Sequence, residues 1–272
     1  MKPRLDEVLV ERGFFDDLHS AQAAIMAGQV VVGEHRETSA GKRVAPDVQI
    51  RCKGQNAFVS RGGKKLAGAL DAFGIDPQGL RCADLGASSG GFTDCLLQRG
   101  AAHVSSIDVN YGQFSWQLRC DERVSLYERT NVRGIDVASV EGPFQLVVGD
   151  LSFISLRTIM DDLVNLMEDD GQMVMLIKPQ FEAAREDVGD GGVIQSAQVQ
   201  VDVIESVISC AMQKGLVILG LTYSPIKGPK GNIEFLLWAA KATCDKNLME
   251  RKSPYSVRAV VESARATLGG RL

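Results

Sequence analysis

The chain lacks the residue patterns that build metal sites, disulfide frameworks and membrane spans. Its six cysteines (Cys52, Cys82, Cys95, Cys120, Cys210, Cys244) are scattered, with no CxxC pair. That usage excludes a disulfide framework or a zinc site and suits reduced, mostly buried thiols. The three histidines, His19, His35 and His103, have no metal-ligand spacing, so no metal is expected. No apolar run is long enough to span a bilayer. The N-terminus, MKPRLDEVLVERG, has no apolar core of a signal peptide. A cytoplasmic protein without a membrane partner is the expectation. Aromatic residues are few, at 6% of 272, but 45% hydrophobic residues suffice for a packed core.

Charge is scarce in neither sign, but it is uneven. The net charge is −4. Residues 1–65 carry 11 Lys+Arg against 8 Asp+Glu, and the remainder 19 against 26. A mildly basic head on an acidic body is a composition in which one end can touch phosphate.

Helical spacing of Leu5, Val8 and Leu9 predicts a first helix over 4–12, ended by Gly13. Asp17 can cap a second, which runs through Ala21–Met26 and ends at Gly28. Val30–Val32 reads as a strand, Gly33-Glu34 as a turn and 44–50 as another strand. Residues 1–52 thus form a small α+β module, too small to be a second catalytic domain. Residues 53–58 read as a linker. Over 59–245, strands at 80–85, 104–108, 124–129, 144–149, 173–178, 217–223 and 233–239 alternate with helices near 64–73, 91–98, 112–119, 156–167 and 197–214. That alternation predicts an α/β domain with a parallel sheet covered on both faces. The tail, 246–272, is helical around 255–267.

One loop, Cys82-Ala83-Asp84-Leu85-Gly86-Ala87-Ser88-Ser89-Gly90-Gly91-Phe92, follows an apolar strand and opens a helix. Glycines at 86, 90 and 91 let backbone approach a ligand. The spacing is not the GxGxxG of a dinucleotide site, which disfavours the competing NAD reading. Asp84 suits a ligand with a positively charged amino acid end, and S-adenosylmethionine has one. Asp108 ends the next strand, 22 residues past Gly86, where a carboxylate can take both ribose hydroxyls of an adenosine. Asn131 falls where adenine would lie. Each acid alone can also be a solvated strand end; their order along the chain favours the cofactor.

Strand ends supply the candidate chemistry. Asp150 follows Val147-Val148-Gly149, and Lys178 follows Leu176-Ile177. In an open α/β sheet both project into the crevice of the glycine loop. A lysine after an apolar strand must be paired or functional; Asp150 is the pairing candidate. If the strand containing Gly231-Asn232-Ile233-Glu234-Phe235 runs antiparallel, Glu234 joins them. Ser60-Arg61-Gly62-Gly63-Lys64-Lys65-Leu66 can add a second lysine. A lysine has an ordinary pKa of about 10.4, so a base role needs burial or a neighbouring ammonium. A lysine-centred site suits deprotonation of a hydroxyl and needs no metal.

The DLGASSGGF loop, the DLSFIS and IKPQFE strand ends and the GNIEF strand together resemble the TlyA family of ribosomal RNA 2′-O-methyltransferases. That family is related to FtsJ and is also labelled hemolysin A. The resemblance covers essentially the whole chain. It implies a Rossmann-like class I methyltransferase sheet preceded by an RNA-binding module similar to ribosomal protein S-four. It also implies S-adenosylmethionine as donor and the ribose 2′-hydroxyl of cytidine in 16S or 23S ribosomal RNA, or both, as acceptor. The family's Lys-Asp-Lys-Glu tetrad falls on Lys65, Asp150, Lys178 and Glu234, with Lys178 the general base. Of Lys64 and Lys65, the family pattern of a lysine directly before leucine selects Lys65. Cofactor contacts are expected from Asp84, Gly86, Ser88, Gly90, Gly91, Phe92, Asp108, Asn131 and Asp150. RNA contacts are expected from Arg4, Arg12, Arg36, Arg43, Arg61, Lys64 and Arg133, with Lys227 and Lys230 at the crevice rim. Residues 183–195 read as a loop over the substrate. Two departures stand out: Ser89 occupies the place of FtsJ's usual proline, and Asp17-Leu18 replaces the Ser-Arg that often starts the module's second helix. The rival readings are a membrane-active hemolysin and a non-catalytic RNA-binding assembly factor. Within the family some members modify one ribosomal subunit and some both; the N-terminal helix and long tail favour both.

Overall fold

Strands of alternating apolar residues set the architecture. In the computed structural model, β4 (Arg81–Leu85), β5 (His103–Ile107), β6 (Val124–Tyr127), β7 (Phe144–Gly149), β8 (Met167–Ile177), β9 (Leu216–Tyr223) and β10 (Phe235–Lys241) form one sheet in the order β6-β5-β4-β7-β8-β10-β9. The structure describes residues 2–12, 14–15, 17–45, 48–52, 57–243, 246–250, 252 and 254–269. Pairings from β6 through β8 are parallel, and β10 runs antiparallel to both β8 and β9. All seven predicted strands are present.

Period-two alternation feeds two cores, one on each face of the sheet. Met173, Met175, Ile177, Phe235 and Leu237 pack on one face with the helix Ala197–Gln213. Val174, Leu176, Leu236 and Trp238 pack on the other with two more helices, Gly62–Phe73 and Gly91–Gln98. The C-terminal helix Val257–Leu268 buries Val261 and Ala264 in the first core.

The chain runs from central β4 outward to β6 and returns to β7 on β4's other side. The carboxyl ends of β4 and β7 therefore flank the point where strand order reverses, which is where open α/β sheets bind ligands.

Residues before 53 form α1 (Leu5–Glu11), α2 (Leu18–Met26), β1 (Val30–Val32), β2 (His35–Glu37) and β3 (Ile50–Cys52). Leu5, Val8, Leu9, Ala21, Ile25, Val30, Val44 and Ile50 share a separate core. Asp17 caps α2 as expected, accepting the Ser20 N–H at 2.7 Å. The expected strand over 44–50 is corrected: Val44 is buried but outside any strand, and the pairing with β1 starts at Ile50. β2 was not expected, because His35-Arg36-Glu37 is polar and exposed on an edge and leaves no hydrophobic alternation. Gly13, expected to end the first helix, and residues 53–56 of the expected linker lie outside the described residues. Phe58 and Val59 already pack on the core of the larger sheet. Among the described cysteines only Cys82 and Cys95 are buried; Cys120 is exposed.

For the helices after α2, α3 is Gly62–Phe73 and α4 is Gly91–Gln98.

Candidate active site

Four elements deliver one charged group each to the carboxyl ends of the strands. Lys65 lies in the first turn of α3, Asp150 directly follows β7, Lys178 follows β8 and Glu234 precedes β10. The antiparallel register Phe235↔Ile177 is what sets Glu234 beside Lys178.

Asp150 is the hub. Its Oδ2 lies 2.9 Å from Lys65 Nζ and its Oδ1 2.5 Å from Lys178 Nζ. Lys65 Nζ also lies 2.8 Å from Glu234 Oε2. Lys178 Nζ donates instead to Ser152 Oγ, at 2.8 Å. Lys65 is 7% exposed and Glu234 fully buried, so these charges are tolerated only because they pair. Burial opposes the Lys65 charge, but Asp150 and Glu234 outweigh it and hold its pKa above the ordinary lysine value. Burial likewise opposes the Asp150 charge, and Lys178 and Lys65 overcome it and hold that carboxyl below its usual range. For Glu234 burial prevails over Lys65, and its pKa is raised. Lys64, the alternative to Lys65, points to solvent.

The four line a cleft of about 590 Å³ together with Gly86, Ser88, Gly91, Phe92, Ser152 and Phe153. That volume lies within the range of small-molecule and cofactor sites, roughly 300–1,000 Å³.

A sequence model of the FtsJ-like methyltransferases matches residues 58–241. The 16S/23S rRNA (cytidine-2′-O)-methyltransferase TlyA of Mycobacterium tuberculosis is 42% identical over 244 residues, covering 89% of this chain and 91% of its own. Hemolysin A of Brachyspira hyodysenteriae is 39% identical over 235 residues, covering 86% of this chain and 98% of its own. Among solved structures, a protein described as a hemolysin from Streptococcus thermophilus aligns over 98% of this chain and 97% of its own, with TM-score 0.74 and 37% identity. The chain belongs to the TlyA family of FtsJ-like methyltransferases.

In this TlyA-family chain the glycine loop differs in detail from the sequence expectation. Gly86 and Gly90 have φ of +78° and +92°, which favours glycine. Their missing Cβ atoms make room for protein, not ligand. A Cβ at Gly90 would lie 2.4 Å from Leu118 Cδ1, and one at Gly91 would lie 2.3 Å from Ser60 Oγ and 2.9 Å from the Gly63 nitrogen. Gly91 thereby lets α4 approach the start of α3, the turn that bears Lys65.

Asp84 also has a different place. It is fully buried at the end of β4, and its Oδ2 accepts the Thr93 N–H at 2.9 Å and the Thr93 hydroxyl at 2.6 Å. It fixes the start of α4 from below and does not line the cleft. Burial pushes its carboxyl up to about 7, against the two Thr93 hydrogen bonds. The folded state therefore holds this proton more tightly than the unfolded chain. Its contribution to stability is fully present below about 4 and is lost as pH rises towards 7, on the order of 4 kcal/mol in all. Asp84→Asn is expected to flatten the pH dependence of the melting temperature between pH 4 and 7; an unchanged slope excludes Asp84 as its source.

Asp108 is 9% exposed, and accepts the Ser88 N–H and the Asn110 N–H, each at 2.7 Å. It props the loop and keeps acceptor capacity to spare. Asn131 is exposed and accepts the Arg133 N–H at 2.9 Å; neither residue lines the cleft. Phe92 and Ser88 do. The backbone of Gly86–Ser89 beside an open, partly apolar space fits the amino acid and sulfonium end of S-adenosylmethionine. Asp108, which accepts the Ser88 N–H, supports this loop without itself lining the cleft.

The expected RNA contacts divide. Arg36, Arg43, Arg61, Lys64 and Arg133 are exposed. Arg4 instead forms a two-pronged pair with buried Asp6, at 2.9 and 2.7 Å, and Arg12 donates to the Val48 carbonyl at 2.6 Å. Both guanidinium groups serve the small module's own packing. Arg61, Lys227 and Lys230 line the cleft, as do Val188 and Gly192 of the expected covering loop. That loop is pinned by Asn232, whose side chain donates to the Gly192 carbonyl at 2.7 Å and accepts the Ile194 N–H at 2.9 Å. Sequence reasoning missed Asn232, Ser152 and Phe153 as site residues, although all three lie inside motifs it quoted.

Gly228 limits the room around Glu234. A Cβ there would lie 2.5 Å from Glu234 Oε1. Because the obstructed atom ends a flexible side chain, Gly228→Ala is expected to push the Glu234 carboxylate off Lys65 and leave the fold intact. Methyl transfer should fall about 100-fold, the cost of roughly ångström-scale misplacement, with little change in melting temperature. Wild-type activity would show that Glu234 has room to move.

Proposed function

We propose that this chain transfers a methyl group from S-adenosylmethionine to the ribose 2′-oxygen of cytidine in ribosomal RNA. The observation that carries the reading is the continuous Lys178–Asp150–Lys65–Glu234 ion-pair chain lining the glycine-loop cleft. When bound, S-adenosylmethionine supplies an electrophilic methyl group, so no metal is required to activate the donor.

The chain's own task is to place a ribose hydroxyl in line and take its proton. Lys65 is committed to two carboxylates, so its charge is fixed. Lys178 shares one carboxylate oxygen and faces the cleft. It is the base: its neutral amine takes the hydroxyl proton during attack. Asp150 orients both lysines, and Glu234 balances the second. With Lys178 protonated the four charges cancel; in the amine form that accepts the hydroxyl proton the network carries −1, and the arriving proton restores neutrality. Proximity contributes on the order of 7 kcal/mol or more when two reactants are held in line.

Arg36, Arg43, Arg61, Lys64 and Arg133 supply exposed positive charge for the RNA backbone, with residues 1–52 as an S-four-like module and 59–245 as the methyltransferase domain. The acceptor lies in both ribosomal RNAs. Support comes from the relative named for 16S and 23S rRNA, matched over 89% of this chain, whereas a Campylobacter jejuni relative named for 23S rRNA alone is matched over 68%. Mapping 2′-O-methyl groups on both ribosomal RNAs by mass spectrometry, with and without this gene, tests the proposal. Loss of a cytidine methyl from each RNA is expected; unchanged maps would overturn it. Regarding the hemolysin name of some relatives, no helix among the described residues is long and apolar enough to cross a membrane.

A further inference from the structure

The two lysines of the network are held differently, and the difference lies in a residue outside it. Lys65 Nζ has carboxylate partners on both sides, Asp150 and Glu234. Lys178 Nζ has one carboxylate oxygen, Asp150 Oδ1 at 2.5 Å, and one neutral oxygen, Ser152 Oγ at 2.8 Å. The charged groups around Lys178 are thus Asp150 after β7, Lys65 on α3 and Glu234 before β10, with the Phe181 ring centroid 5.9 Å from Nζ. Among the described residues, the hydroxyl of Ser152 is the neutral hydrogen-bond partner of that amine.

A neutral lysine amine has two N–H bonds and one lone pair in tetrahedral arrangement. If Asp150 and Ser152 each accept one N–H, the lone pair is left to point along the remaining direction. Lys178 lines the cleft, so a substrate hydroxyl bound there meets its amine from that side. A freely rotating amine spends much of its time with the lone pair turned elsewhere, and orientation of this kind is where positioned groups gain rate.

The loop bearing Ser152 is braced. Phe153, the next residue, has φ of +62°, a left-handed turn unusual for a bulky side chain. Glu182, four residues past Lys178, accepts the Ser155 hydroxyl at 2.5 Å and the Leu156 N–H at 2.6 Å. Glu182 is 6% exposed. One buried carboxylate therefore ties the segment that follows Lys178 to the segment that follows Ser152, which fixes the distance between them.

We infer that Ser152 is a positioning residue that aims the lone pair of Lys178 at the substrate hydroxyl. The inference rests on the proposed role of Lys178 as base. The proton balance is unchanged by it: the hydroxyl proton moves to Lys178 Nζ, the new bond is oxygen to methyl carbon, and the carbon–sulfur bond breaks to leave a neutral thioether. Ser152 neither gains nor loses a proton.

The test uses the full-length chain with ribosomal RNA and S-adenosylmethionine. Ser152 is exposed, so its truncation leaves the core untouched. Ser152→Ala is expected to lower kcat about tenfold or more with KM for both substrates within about twofold. Ser152→Thr, which keeps the hydroxyl, is expected to restore most of kcat; Ser152→Cys, a weak acceptor, is not. Unchanged kcat in Ser152→Ala, a loss confined to KM, or a Thr variant as slow as the Ala variant would each overturn the inference. The same assay on Lys178→Met separates the two levels. Activity retained there removes the base assignment itself, whereas activity lost there with Ser152→Ala intact removes only the role of Ser152.

Discussion

Lys178→Met is expected to reduce methyl transfer by about 1,000-fold, within the range for loss of a positioned base, while S-adenosylmethionine still binds. The physical ground is the separation of duties in the cleft. The glycine loop is held by Asp108 through Ser88 and by buried Asp84 through Thr93, and none of those contacts involves Lys178. Methionine fills a similar volume, and Asp150 keeps Lys65 as partner, so no carboxylate is left buried alone. Cofactor affinity by calorimetry should therefore stay within a few-fold of wild type while transfer to ribosomal RNA is lost. Transfer at the wild-type rate would eliminate the lysine-base mechanism. Loss of binding and transfer together would mean that Lys178 holds the cofactor instead. The same variant bears on the rival reading of a non-catalytic assembly factor, which predicts no transfer by the wild-type chain either.

Asp150→Ala is expected to be the most damaging single change in the site. It leaves Lys65 and Lys178, 7% and 9% exposed, as two ammonium groups without their shared counter-charge. Removing one member of a buried ion network costs on the order of 3–5 kcal/mol, because the remaining charge stays desolvated. For a chain of this size that corresponds to roughly a 10 °C fall in melting temperature. The acid side gives an independent signature. A carboxyl held below its unfolded value of 3.8 adds stability above that pH and loses it as pH falls towards the folded value. The variant should lack that part of the acid-induced loss. Adding Lys178→Met should recover part of the stability, since Lys65 keeps Glu234 while Lys178 is the ammonium left without a carboxylate, and none of the activity. If Asp150→Ala melts with wild type, the network contributes catalysis without stability.

How much of this was legible beforehand depends on what each residue's neighbours are. The seven strands were readable because each alternates apolar side chains between two cores, as Met173, Met175 and Ile177 do against Val174 and Leu176. β2 was not, because an exposed His-Arg-Glu edge carries no such signal. Asp150, Lys178 and Glu234 followed from the rule that ligands meet strand carboxyl ends, plus one conditional, the antiparallel direction of β10, which the pairing with β8 supplies; Lys65 was selected over Lys64 only by the family pattern. The glycine loop was found for a partly different reason from the one that holds it. Sequence shows that a side chain is missing but not which neighbour occupies the space, and at Gly90 and Gly91 that neighbour is Leu118 or the start of α3. Asp84 fails similarly: an acid at a strand end reads as a ligand group until its burial beneath Thr93 is seen. Arg4 and Arg12 read as RNA contacts until their partners Asp6 and Val48 are in view.

The place of β10 between β8 and β9 has a consequence for how the molecule is made. β9 comes earlier in the chain yet touches the sheet only through β10. On a ribosome, β9 emerges with no strand to pair with and must wait for the residues after 234. The last member of the tetrad arrives with that same strand. A growing chain thus cannot assemble its catalytic charges before its sheet is complete. Activity and closure of the fold are reached in a single late step of synthesis, and a chain cut short before Glu234 leaves both an unpaired edge and Lys65 short of one carboxylate.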